Sequence, residues 1–580
     1  MDAEAVFEGP REPVLLDLSV ASLLDIQSER RGGEMAVAAL HQNVRWTFRD
    51  LRNRARLIAS RLFGKGIQPG DRIVLFAGNC IEFVEIFLAV ASLGAIAVLV
   101  APTLAVHEVQ DAVMSVEPKL MFVAAQIGYR SNAEFLSWAA KAFEGNVIIL
   151  GSGNKPATRL PEGCATFDSF LGGSATEHGP TNDAKDPTTS LDGIWSRTPA
   201  SAPCCFQFTS GTTGPRKASM LSHGNLINNA NLVGHRLQLG PSDRVCCSPP
   251  LSHCFGLVGG FLASLVHGSG LVIPSEIFNP ALALAALRSE GCTIVHAVPS
   301  MFDALVKQEQ KRVRSGGNSA SPADYRLRSG IIAGATPPLD LLRALKTHLG
   351  LEKLLYPFGM TELSAVSICT TIQDSLLDDN SSVGTALPHT SIKVIDEEGR
   401  TVRVNVPGEL CVSGYLVHLG YFHNEAKTRE ALHVDDTGKL WLRTGDIVML
   451  DETGRCRVVG RSKDMIKKHG ENIAPKDIED ALMGHASVKA SAVVGVPSEK
   501  HGESIVAYVE LHDRGPALDE RQIKTWLREQ GLPPHKMPDA FVAVGDDAAG
   551  GLGEFPLNAS GKILKTELRR HAGACLLTHY

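Results

Sequence analysis

Residues 208–217 read FTSGTTGPRK. Thr209, Ser210, Thr212 and Thr213 bring hydroxyls, Gly211 and Gly214 bring bare backbone N–H groups, and Lys217 closes the run with a cation. Small, flexible residues cannot build a core, but N–H groups, hydroxyls and an ammonium on one loop are the chemistry of a phosphate cradle. The run is not a Walker A loop, which has Gly directly before Lys; here Pro215 and Arg216 intervene. Taken by itself it can also be read as a flexible linker. Its setting favours the cradle, because an apolar, strand-like cluster precedes it and the helical HGNLINNANLVGHRLQL comes after it.

Other chemistry-bearing residues are ambiguous one at a time. Thr361-Glu362 after Gly359-Met360 reads as a helix start, with the carboxylate complementing the helix dipole. Asp446 in TGD reads as an Asx-turn former. GRSKD (460–464) reads as a solvated charged turn, and Lys562 in NASGK as a surface lysine.

The chain that must position these groups has 580 residues, too many for one core. Its 44% hydrophobic and 21% charged composition is that of a globular protein, and a net charge of −6 gives no electrostatic footprint for nucleic acid. Twelve cysteines without a C-x-x-C suit neither a zinc site nor a disulfide framework. The acidic, proline-containing N-terminus is not a signal peptide and the terminal THY is not a peroxisomal signal, so a cytoplasmic location is expected. The stretch from Ile86 to Val106 carries no charge, but Gly94 and Pro102 cut it into a helix and a buried strand rather than a membrane span.

Apolar β-branched runs (71–78, 119–125, 146–150, 270–273, 293–299) alternate with helical patterns such as Phe48–Lys65 and Pro280–Glu290, which predicts α/β layers with parallel sheets. Residues 151–203 show little periodicity and read as a surface excursion. After about residue 390 short strands separated by turns predict antiparallel β, and from Asp464 helices and strands alternate again.

The motifs in order resemble the acyl-adenylate-forming superfamily of acyl- and aryl-CoA synthetases, luciferases and peptide-synthetase adenylation domains. They are FTSGTTGPRKASMLSHGN (208–225), PLSHCFG (250–256), IIAGATPP (331–338), YPFGMTE (356–362), LRTGD (442–446), GRSKDMIKKHGENIAPKDIE (460–479) and PLNASGKILKTELR (556–569). The resemblance implies a large N-terminal domain (1–459) of layered α/β sheets plus a distorted β-barrel, a hinge (460–463) at Lys463, and a small mobile α+β C-terminal domain (464–580). It implies ATP contacts from Thr209, Ser210, Gly211, Thr212, Thr213 and Gly214, with Lys217 toward the departing pyrophosphate. Gly334, Ala335 and Thr336 would form the adenine wall and Phe358 would stack on adenine, Gly359 and Met360 would also contact the nucleotide, Thr361 would bond the α-phosphate, and Glu362 would help hold Mg²⁺. Asp446 would take the ribose, Arg461 the ribose or the α-phosphate, and Lys562 the reacting carboxylate. His253, Val298, Ser300, Met301, Gly334 and Met360 would line the acid pocket, and Lys467, Lys468 and Gly470 the thiol channel. Ala218 and Phe358 stand where relatives usually carry Gly and Tyr.

The implied reaction is ATP-dependent activation of a fatty or aryl acid to an acyl-adenylate, then transfer to CoA with release of AMP and pyrophosphate. HCFGLVGGF shows no acidic residue to receive an amino group, and its glycines leave room for a chain or ring. One alternative is an adenylating enzyme that loads a separate acyl carrier protein, since too few residues come after Lys562 for a fused one. Another is a non-catalytic nucleotide-binding descendant. A luciferase-like oxygenase is more distant.

Overall fold

The computed structural model describes residues 3–151, 161–172, 193, 195, 197–209, 216–314, 324–469, 471–498, 502–512, 519–545, 551–557 and 563–577. They form two compact units, Glu8–Ser391 with Val412–Leu442, and Met1–Phe7 with Ile392–Cys411 and Arg443–Tyr580.

The larger unit contains two seven-stranded sheets. In the first, Cys164–Thr166, Val147–Leu150, Leu120–Ala124, Arg72–Phe76, Ile96–Leu99 and Pro203–Thr209 run parallel, and Lys217–Ser222 joins antiparallel at the edge. In the second, Leu354–Leu355, Ser329–Ile332, Ile294–Ala297, Arg244–Cys247, Gly270–Ile273 and Met35–Ala39 run parallel, with Val44–Thr47 antiparallel. The central strands are buried on both faces, as continuous apolar runs require.

Local signals set the helices. Thr47 and Asp50 form a reciprocal capping box at the start of Phe48–Gly64, which buries Phe48, Leu51, Ala55, Ile58, Ala59 and Leu62. The charge-free stretch becomes the end of a buried helix, Ile81–Ser92, a left-handed Gly94 (φ +65°) and the strand Ile96–Leu99. Among the described residues no helix is long and apolar enough to cross a membrane. Of the cysteines whose side chains are described, none forms a disulfide; Cys164 is half-buried, and Cys80, Cys204, Cys205, Cys246, Cys247, Cys254, Cys292, Cys369, Cys411 and Cys456 are buried.

The expected surface excursion contains structure that its sequence conceals. Cys164–Thr166 extends the first sheet, and the short helix Phe167–Leu171 packs Phe167 and Phe170 against Phe122, with ring centroids 6.0 and 5.5 Å away. Three strand residues are too few to show a period.

In the smaller unit, the Asp446–Leu450 end of the strand Leu440–Leu450 pairs with Cys456–Arg461. A five-stranded sheet centres on Gly502–Leu511, flanked by Val488–Ser498 and Ala540–Val544, with the hairpin Ile466–Lys468/Glu471–Ile473 beyond. Side chains on its two faces belong to separate apolar clusters, for example Val493, Ile505 and Ile478 on one and Val494, Tyr508 and Leu568 on the other.

Candidate active site

Thr209 and Lys217 are register partners where Pro203–Thr209 meets Lys217–Ser222, so the phosphate-loop segment leaves and returns at one point. Ser210, Gly211, Thr212, Thr213 and Gly214 lie outside the described residues. Lys217 is half-buried; its Nζ donates to Tyr421 Oη at 3.2 Å and lies 4.2 Å from that ring's centroid. Tyr421 arrives there because residues 419–422 run along the strand. Leu419 N–H bonds Met220 O (2.9 Å), Met220 N–H bonds Gly420 O (3.0 Å) and Phe422 N–H bonds Ala218 O (2.9 Å). Gly420 holds φ +117°, with Thr428 Cγ2 only 2.9 Å from where a Cβ would stand, so a side chain there is excluded.

Glu362 reaches the same place from another direction. After Pro357–Phe358 the chain passes Gly359, where a Cβ would stand 1.8 Å from Ala365 O, and enters the short turn Thr361–Leu363. Ser364 (φ +58°) and Ala365 (φ +113°) close that turn in conformations unfavourable to side-chain-bearing residues. Asn229 clamps it, accepting from Val366 N–H (3.1 Å) and donating to Val366 O (2.7 Å), and Ser364 Oγ donates to Leu416 O (2.6 Å). The Glu362 side chain is buried, and its Oε1 accepts from Tyr421 Oη at 2.8 Å. Burial and the adjacent Glu362 charge push the Tyr421 phenol far above its usual range, so it keeps its proton. His418, buried beside it, bonds Ser219 Oγ through Nδ1 (2.9 Å); burial, reinforced by the Lys217 charge, lowers it to about 4.

The remaining candidates of this unit gather at the carboxyl ends of neighbouring strands in the second sheet, where ligands of parallel sheets bind. Val298, Ser300 and Met301 come after Ile294–Ala297; Gly334, Ala335 and Thr336 after Ser329–Ile332; His253 after Arg244–Cys247. Gly334 and Ala335 are exposed, and Thr336 Oγ1 accepts from Tyr356 Oη (3.2 Å). Phe358 and Met360 are half-buried and His253 is exposed. Residues Phe255–Leu262 form a π-helix, a geometry frequent at functional sites. Its glycines do not simply leave room, as the sequence suggested. A Cβ at Gly256 would stand 2.2 Å from Pro250 O and one at Gly260 2.5 Å from Cys247 Sγ, so both allow close packing. At Gly259 the nearest atom would be 3.5 Å away.

In the smaller unit Asp446 and Arg461 are register partners, and Arg461 Nε lies 3.1 Å from Asp446 Oδ1. Asp446 is buried and Arg461 exposed. Lys463 is exposed in the turn Ser462–Asp464. The adjacent lysines of KKHGEN part company: Lys467 is exposed, whereas Lys468 is buried and bonds both carboxylate oxygens of Asp539 (2.7 and 2.8 Å). Gly470 and Lys562 lie outside the described residues.

Comparison with known proteins decides what this constellation belongs to. The signature of the AMP-binding enzymes matches residues 24–422, and that of the AMP-binding enzyme C-terminal domain matches residues 477–562. The chain belongs to the AMP-binding enzyme family. The acyl-CoA ligase sidI of Aspergillus fumigatus is 35% identical over 99% of this chain and 94% of that protein. The mitochondrial medium-chain acyl-CoA ligase ACSF2 of Bos taurus is 33% identical over 96% of this chain and 88% of that protein. In fold, the chain is similar to ATP-bound MatB from Rhodopseudomonas palustris, with a TM-score of 0.78 at 24% identity over 95% of this chain and 99% of that one.

Within this family member, Glu362 supplies a buried carboxylate, and among the described residues no cluster of three or more His, Cys, Asp or Glu could hold a metal. A lone hard-oxygen ligand of that kind fits Mg²⁺ arriving with nucleotide phosphates, which needs few protein ligands. Tyr421, His418 and Asn229 escaped the sequence reading. Each depends on pairing between segments far apart in the chain, and none carries a local signal.

Proposed function

We propose that this AMP-binding enzyme activates an aliphatic acid of medium length with ATP and transfers its acyl group to the thiol of CoA. The observation that carries the reading is the link from half-buried Lys217 through Tyr421 to buried Glu362 at the foot of the phosphate-loop segment. It brings together one cation and one hard carboxylate, as phosphoryl chemistry needs. CoA as acceptor, rather than a carrier protein, is supported by relatives at 33–35% identity that are named as acyl-CoA ligases. Medium chain length is supported by the name of the bovine relative.

In the first step a carboxylate oxygen of the acid bonds to the α-phosphorus, the bond from that phosphorus to the bridging oxygen breaks, and pyrophosphate leaves. The acid is ionised at neutral pH, so no general base is required. Mg²⁺ would be held by Glu362 and would neutralise phosphate charge. Lys217 meets the departing pyrophosphate, Thr361 the α-phosphate, Phe358 the adenine face, and Lys562 the reacting carboxylate. In the second step the CoA sulfur attacks the acyl carbon as thiolate, its proton passing to solvent, and AMP leaves. Val298, Ser300 and Met301 contribute to the acid pocket, Lys463 is the hinge, and Lys467 faces the thiol path.

Purified protein with ATP, Mg²⁺ and a panel of acids, read by pyrophosphate release with and without CoA, tests the reading. CoA-dependent turnover on medium-chain acids is expected. Turnover only with a carrier protein, or none with any acid, overturns it.

Asp446 and Arg461 take the ribose in this reading. Asp446→Ala is expected to raise the ATP KM by about tenfold to a hundredfold, the equivalent of losing hydrogen bonds to a charged group. An unchanged ATP KM in steady-state assays would show that the ribose site lies elsewhere.

A further inference from the structure

We propose that Tyr421 is a positioning residue for the adenylation step: its hydroxyl ties the Lys217 ammonium to the Glu362 carboxylate and fixes the spacing at which the two meet Mg·ATP. The inference rests on the roles of Lys217 and Glu362 in the reading above.

The direction of the hydrogen bonds is set by their chemistry. An ionised carboxylate only accepts and an ammonium only donates, whereas a phenol does one of each. The Tyr421 hydroxyl therefore donates to Glu362 Oε1 (2.8 Å) and accepts from Lys217 Nζ (3.2 Å). No other arrangement of its single proton satisfies both neighbours.

Tyr421 is also held unusually firmly for this task. Its N–H bonds Thr428 Oγ1 (2.9 Å), it forms a β-bridge with Ser219, and Phe422 N–H bonds Ala218 O. Tyr421 thus hangs from the strand that carries Lys217. Its ring is met edge-on by His418 (centroids 4.8 Å, planes at 76°), whose Nδ1 is bonded in turn to Ser219. Glu362 is fixed to the same segment, because its carbonyl accepts from His418 N–H at 3.0 Å. The three groups are positioned by paired backbone, and a side chain fixed this way holds a binding constellation more sharply than one on a free loop. Phenylalanine would fill the same space, so only the hydroxyl is at stake.

Tyr421→Phe and Glu362→Gln isolate the effect. ATP binding would be measured by calorimetry with Mg²⁺ and with EDTA, alongside adenylation and thioester formation from supplied acyl-adenylate. With Tyr421→Phe, ATP binding in Mg²⁺ should weaken about tenfold and adenylation should slow about tenfold to a hundredfold. Binding in EDTA, and thioester formation from acyl-adenylate, should stay within about twofold. If Tyr421→Phe binds ATP in Mg²⁺ like the wild type while Glu362→Gln does not, the hydroxyl is merely structural and the proposal is wrong. Equal weakening with and without Mg²⁺ would place its effect on Lys217 alone and overturn the coupling. If Glu362→Gln itself binds normally in Mg²⁺, the metal assignment fails and the proposal fails with it.

Discussion

Lys562→Ala is expected to slow adenylate formation by about 10²–10³ while thioester formation from supplied acyl-adenylate stays within about tenfold. In the proposed function this cation touches the carboxylate and phosphate only while they react, so its loss removes about 3–4 kcal/mol from one transition state. Lys562 itself lies outside the described residues, but the chain on either side of it is well anchored. Leu557 bridges to Ile563, and Leu564 N–H bonds Pro556 O at 2.8 Å. The helix Lys565–Leu577 then buries Leu568. Folding should therefore survive the substitution. The measurement gives the variant acid plus ATP in one assay and acyl-adenylate plus CoA in another. Equal loss in both, in a folded protein, would remove Lys562 from the centre of the mechanism. Lys463→Pro provides the converse in the same assays. Proline fixes φ near the value a short helical turn such as Ser462–Asp464 uses, so it should hold that turn and restrict the backbone rotation proposed for the hinge. Thioester formation should suffer more than adenylation; equal loss of the two would count against Lys463 as hinge.

The range of each interaction decides whether a sequence reveals or conceals it. Strands such as Arg72–Phe76 and Ile294–Ala297 are buried on both faces and read as continuous apolar runs, so they were legible. The family resemblance was legible because each motif that carries it is contiguous. Tyr421 was not: nothing around it marks a ligand holder, and its role depends on a strand about 200 residues earlier in the chain. Lys467 and Lys468 look alike in sequence. On a strand they point to opposite faces, which leaves one exposed and buries the other against Asp539. The glycines of the π-helix were misread because glycine marks both open space and close packing, and only the folded chain distinguishes them.

Arg54→Met should destabilise the larger unit by about 3–5 kcal/mol, through a charge that the sequence also concealed. Glu85 lies within the apolar helix Ile81–Ser92, with its side chain 1% exposed. Arg54, on Phe48–Gly64, meets both its oxygens, Nε to Oε2 at 2.8 Å and Nη2 to Oε1 at 3.3 Å, while its guanidinium lies over Trp46. Burial lifts Glu85 to about 7, with Arg54 pulling it down and Glu82 adding to the rise. Between its unfolded value near 4.5 and about 7 the folded state binds more protons, so this group makes stability fall as pH rises through that window. Removing Arg54 removes that downward influence. The variant's deficit should therefore be larger at pH 8, where the carboxylate is charged, than at pH 5, where it is protonated. Methionine keeps the apolar stem, so lost packing contributes little. Urea unfolding followed by tryptophan fluorescence at both pH values measures this. Adding Glu85→Gln to Arg54→Met should recover much of the loss at pH 8, because it removes the stranded charge as well as its partner. A double variant no more stable than Arg54→Met, or a deficit equal at the two pH values, would mean that the cost lies in packing around Trp46 and not in the buried carboxylate.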